Sequence, residues 1–177
     1  MMTTLNAIRV HYPCADGWQK LLRYLGKTAA DDEPLGIATI LDSNGLDDAL
    51  WCLRAVTGHD REIRLYAVWC ARQVQHLMTD PRSVAALDVV ERYARGEATD
   101  AEWDASRDAA GAARDAARDA AWDAAWAAAA AAAGAAAWAA AWAAAGAVQS
   151  AELRRVCTAI ERGDDPYPRV TLGERDE

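Results

Sequence analysis

Apolar side chains along this chain recur every three to four residues, and alternation with a period of two is nearly absent. GWQKLLRYL reads as a short helix capped by Asp16 and closed at Gly26. Asp31 to Pro34 reads as the cap and first turn of a helix through LGIATIL, and Asp42 to Gly45 as a turn. Leu46, Leu50, Leu53 and Val56 then form one stripe of an amphipathic helix that Gly58 stops. Asp60 is the expected cap of the next helix, REIRLYAVWCARQVQHLM, which ends before Pro81. Ser83 opens another, VAALDVVERYAR, closed by Gly96. The intervening loops are short, so neighbouring helices are expected to run antiparallel.

Thr99 and Glu102 have the spacing of a capping box, which opens an alanine-rich region. From Arg114 this region repeats in steps of four residues, with tryptophan, arginine or glycine leading most steps. Each step drifts by about 40° around a helix, so the repeat cannot line one face throughout. One unbroken helix from Thr99 to Arg162 would measure about 95 Å, against a radius of gyration near ~16 Å for a compact domain of this length. A break is therefore expected at one of Gly111, Gly134 and Gly146, with Gly134 best placed. A turn there makes a hairpin in which Trp122 and Trp126 share neighbours with Trp138 and Trp142, and leaves Gln149 to Arg162 as a final helix. The expected architecture is all-α. It is a single-domain helical bundle over residues 1–163, with alanine-rich helices over 99–162 and a C-terminal tail over 164–177.

Composition refines this picture in three ways. Phenylalanine is absent and there are eight tryptophans, so indole must supply much of the bulky core. Net charge is −8, which argues against a general coat for DNA or RNA. The basic residues are nearly all arginine, and alanine and arginine together are what a GC-rich genome supplies. The four cysteines form no CxxC pair, and neither His11–Cys14 nor any other spacing makes a zinc pattern. No apolar leader opens the chain, so a cytoplasmic location is expected. The uncharged stretch between Asp123 and Glu152 exceeds the roughly 20 residues of a membrane span. Alanine is only weakly lipophilic, however, and no flanking basic asymmetry is present. Scaffold is the expected role, with no membrane partner.

Candidate chemistry concentrates at the junction GHDREIR. Asp60, Arg61 and Arg64 lie in or near the first turn of a helix, next to His59, and Trp51 and Arg54 end the helix before it. An indole with several guanidinium groups could hold a nucleobase and its phosphates. The bland alternative is a capped helix start with surface charge pairs. No nucleophile is placed beside His59, and the aspartates from Asp104 to Asp123 alternate with arginines as a solvated face. No cofactor and no catalytic activity are expected.

The stretch from Asp32 to Glu102 resembles a group of phage and prophage proteins, which is itself similar to the broader immunity-protein family of the immunity-protein-five-like kind. The resemblance rests on Tyr66–Ala71, Thr79–Arg82, Glu91–Glu97 and the alanine-rich Ala105–Ala147, and extends over roughly residues 15–150. It implies an all-α domain acting in conflict between bacteria, or between phage and host, and it carries no catalytic residues. Two functions are open. One is an immunity or inhibitor protein that binds a toxin or a host defence protein, for which the acidic charge suits a basic partner. The other is a protein that sequesters a nucleotide second messenger at Trp51, Arg54, His59, Asp60, Arg61 and Arg64. A homodimer is compatible with either, because alanine faces allow close helix contacts.

Overall fold

The computed structural model describes residues 1–73, 75–77, 80–107 and 134–168. These residues form an all-α fold with one short antiparallel β pair. In chain order they are β1 (Met2–Thr3), α1 (Leu5–Val10), α2 (Ala15–Tyr24), β2 (Leu35–Gly36), α3 (Ile37–Asn44) and α4 (Leu46–Cys52). After a 3-10 turn at Leu53–Ala55 come α5 (Asp60–Gln73), a second 3-10 turn at Gln75–Leu77 and α6 (Pro81–Ala94). The helix over 100–107 is α7, and α8 spans Gly134–Arg162. No helix among the described residues is long and apolar enough to cross a membrane.

The core forms where the stripes of α1, α2, α3 and α4 meet the C-terminal half of α8. Leu5, Ile8, Ile37, Ile40, Leu153 and Val156 are essentially excluded from solvent. They belong to one cluster with Leu21, Cys52, Tyr66 and Cys157. Burying each such aliphatic chain contributes about 1.5–3 kcal/mol. Polar groups inside this cluster are satisfied locally. Thr3 Oγ1 donates to the Ala55 carbonyl at 2.7 Å, and Tyr66 Oη donates to the Gln149 carbonyl at 3.0 Å.

Several expected boundaries move, each for a local reason. Asp31 to Pro34 does not start a helix. Met2 and Thr3 pair with Gly36 and Leu35, which draws that segment into extended backbone and delays α3 to Ile37. Asp31 instead accepts from the Glu33 amide and pairs with Lys27. α2 begins one residue before Asp16, so Asp16 lies in its first turn rather than at its cap. α3 runs through the expected turn as far as Asn44, and the chain reverses at Gly45, whose φ is +98°. In α4 the most deeply buried positions are Ala49 and Cys52, flanked by the half-buried Leu46 and Leu50 of the expected stripe. His59, not Asp60, accepts the first helical bond of α5, from the Ile63 amide. Asp80 caps α6 by accepting from the Arg82 amide, which places Ser83 inside the first turn.

The capping box forms as read. Thr99 Oγ1 accepts from the Glu102 amide, and Glu102 accepts from the Thr99 amide at 2.9 Å. Gly146 does not interrupt α8, which is continuous for 29 residues, or about 44 Å. The expected separate helix from Gln149 is therefore the C-terminal half of α8. Gly111, the Trp122/Trp126 pair and the upstream arm of the expected hairpin lie outside the described residues. Residues 164–168, read from sequence as the start of a tail, lie against the body. Pro166 is buried and Tyr167 packs on the core cluster.

Candidate functional site

The six residues of the arginine–tryptophan junction fall into three separate pairings. Arg54 stacks on Trp51, its guanidinium carbon 4.3 Å from the ring centroid, and its Nε donates to the Trp51 carbonyl at 2.8 Å. Arg64 lies over the ring of Tyr93, on α6, at 5.3 Å. Arg61 is clamped by the segment that follows α8. Its two terminal nitrogens donate to both carboxylate oxygens of Asp165, at 2.9 and 3.1 Å, and one donates to the Tyr167 carbonyl. Glu62 accepts from Arg61 as well, and also lies 3.6 Å from His59 Nδ1. The Arg61 charge expected to face a phosphate is thus answered by two carboxylates. Those carboxylates hold the guanidinium even further above its ordinary range, with the Asp165 bond the larger cause. Asp60 occupies the exposed first turn.

The chain after α8 is locked by a second group. Glu152 is nearly buried, and Arg155 donates to both its oxygens while Tyr167 Oη donates at 3.0 Å. The Arg155 hydrogen bonds, followed by that of Tyr167, outweigh burial and hold the Glu152 carboxyl below its ordinary range. Together Arg61, Asp165, Arg155 and Glu152 fasten residues 165–167 to α5 and α8. That arrangement has the marks of a structural clamp.

A different part of the molecule is concave and apolar. A cavity of about 130 Å³ lies between the α1–α2 corner, α2, α3 and α4. Ile8, Leu21 and Ile40 supply aliphatic surface and the indoles of Trp18 and Trp51 supply flat surface, while Asn44 and Asp48 are its polar members. Asn44 braces the site: its Nδ2 donates to the Gly17 carbonyl at 2.8 Å and to Asp48 Oδ2 at 2.7 Å. Gly17 sits inside α2, where glycine lowers helix stability by about 0.5–1 kcal/mol relative to alanine. A Cβ there would stand 2.7 Å from Asp48 Oδ2 and 3.1 Å from Cys14 Sγ, so only glycine permits this approach. Cys52 also lines the cavity, and burial, with the Asp48 charge adding to it, pushes its thiol up to about 11.

The corner leading into this cavity carries the two most exposed large hydrophobic residues among the described residues. Tyr12 is 90% exposed and Val10 70%. Tyr12 has φ +57°, making it the one non-glycine among the described residues in the left-handed region. Its amide donates to the Arg9 carbonyl at 3.1 Å, closing α1 at the position where glycine is usual. Pro13 and Cys14 follow immediately and line the cavity.

Of the residues singled out from sequence, only Trp51 belongs to this cavity. Tyr12, Trp18, Asn44 and Asp48 were not foreseen. The one legible signal was a glycine placed before an indole inside a helix-forming run, at Gly17 and Trp18. Comparison of the chain with known proteins finds no matching family model, no matching curated protein and no matching solved structure.

Proposed function

We propose that this chain is a non-catalytic binding protein of the inhibitor or immunity type, which grips a basic protein partner at the α1–α2 corner. The observation that carries the reading is Tyr12. A large aromatic ring is held in solvent by a backbone conformation that raises the energy of the fold by about 1–2 kcal/mol. Strain of this kind gathers at recognition sites, and tyrosine is enriched among the residues that dominate protein interfaces. Val10 adds exposed apolar area beside it, and the net charge of −8 steers a basic partner toward the surface. The setting of phage–host or interbacterial conflict comes from the family resemblance.

Thiol chemistry has little support at Cys52, Cys70 and Cys157, where burial is the largest cause raising the thiol, away from the reactive thiolate. Nucleotide sequestration at the arginine junction gains nothing from this geometry, because Arg61 is already paired and Arg54 and Arg64 stack on different rings. The test is affinity capture from a bacterial lysate, followed by quantified binding of the recovered partner. Tyr12→Ala is expected to weaken that binding by about tenfold or more, whereas Tyr24→Ala, an exposed tyrosine at the end of α2, leaves it unchanged. Equal binding by both variants and the wild type would contradict the reading.

A further inference from the structure

We infer that the cavity between α2, α3 and α4 is a binding site for a compact organic cation about one ring in size, with Trp18 and Trp51 enclosing its apolar body and Asp48 facing its charge. This goes beyond the Tyr12 surface and does not depend on it.

Size comes first. At about 130 Å³ the cavity is slightly smaller than the roughly 150 Å³ apolar cavity that accepts benzene, so it fits a single ring or a short alkyl chain. A nucleotide needs more room, given that drug-sized ligands occupy about 300 Å³ upward.

Charge comes second. Asp48 has no ion-pair partner among the described residues. Lys20 Nζ donates to the Asn44 carbonyl at 3.3 Å, and Arg54 Nε to the Trp51 carbonyl. Asn44 satisfies one oxygen of Asp48 and fixes its direction by bridging to the Gly17 carbonyl. A carboxylate held in this way disfavours an anion and favours a cation, which gains from the Trp18 ring as well as from the carboxylate, one face of Trp51 being already covered by Arg54. Burial is the largest cause raising the cavity thiol of Cys52, and of the two neighbouring charges Asp48 raises it more than Arg54 lowers it.

Third, the placement of Asp48 against α2 depends on a glycine. Gly17 is a poor helix residue, and any side chain at that position would drive into Asp48.

The ligand chemistry has two sources, a free small amine or the side chain of a lysine in another protein. The test is an amide and indole NMR titration of the wild-type chain with benzylammonium, benzyl alcohol and benzoate, and separately with a capped lysine tripeptide. The indole signals of Trp18 and Trp51 are assigned by their loss in Trp18→Phe and Trp51→Phe. Benzylammonium is expected to shift those two signals saturably and to bind about tenfold more tightly than benzyl alcohol, with benzoate weaker still. In Asp48→Asn the preference for cation over alcohol should fall to within about twofold. Shifts by the tripeptide assign the site to a protein side chain; shifts by benzylammonium alone assign it to a free amine. Equal binding of the alcohol, tighter binding of benzoate, or shifts that spare both indoles would overturn the inference. The three-ligand comparison uses the wild type, so it stands whether or not a variant folds.

Discussion

At the residue scale the informative position is Tyr12, because stability and its proposed binding role make opposite demands on it. Glycine adopts its backbone conformation without penalty, so Tyr12→Gly should stabilise the fold by about 1 kcal/mol. In a chain of this length that corresponds to a rise in Tm of about 2–4 °C. The same substitution should cost partner affinity. A fall in Tm would show instead that the ring supports the fold. None of this was legible in the sequence, where no element is read before Asp16 and α1 itself is not foreseen. A left-handed tyrosine has no signature of its own. The arginine junction illustrates the converse difficulty. Its residues were found readily, but the partner that neutralises Arg61 lies 104 residues further on, at Asp165, where no local spacing could reveal it.

At the scale of single elements, two helical glycines should respond to alanine in opposite ways. A Cβ on Gly146 meets nothing within 4 Å, so Gly146→Ala should gain helix propensity and stabilise α8 by up to about 1 kcal/mol. In Gly17→Ala the same gain is offset by the approach to Asp48 and Cys14, so no stabilisation is expected. Paired thermal melts check both, and a Gly17→Ala variant as stabilised as Gly146→Ala would show that the α2–α4 approach is loose. Much at this scale was readable. Gly26 and Gly96 close α2 and α6 at positive φ, and the Thr99–Glu102 box forms as its spacing predicts, whereas the helix that Gly58 was expected to stop already ends at Cys52. What failed was the extended pair, since two residues in each strand carry no periodicity to detect. Gly146, the last of the three glycines considered for a break, does not interrupt α8, because one glycine is a small penalty in a long run of good helix formers.

Across the whole molecule, several carboxyls are held below their ordinary pKa, and one of them, Asp165, bridges 104 residues of chain. The Glu152 carboxyl is held down by Arg155 and Asp165 by Arg61, while Glu102 is held down by the Thr99 amide. A group whose folded value lies below its unfolded one contributes stability that is complete above the unfolded range of about 4. That contribution is lost as pH falls through the lower folded values. Melting temperature should therefore hold from neutral pH to about 5 and decline below that. Glu152→Gln should lower stability at pH 7 and make the acid decline shallower. A variant with unchanged melting at pH 7 would detach Glu152 from the clamp. The all-α class was legible from the three-to-four-residue period alone. That residues 165–167 return to the body was not, because the anchoring groups are polar and widely separated in the chain.

We propose that recognition takes place at the α1–α2 corner and not at the arginine junction. One measurement separates the two: the affinity of the captured partner for Tyr12→Gly and for Arg61→Ala, side by side with the wild type. Tyr12→Gly is predicted to melt higher yet bind about tenfold or more weakly, while Arg61→Ala binds as the wild type does. Loss of binding in Arg61→Ala with full binding in Tyr12→Gly would contradict the account and return the site to the arginines.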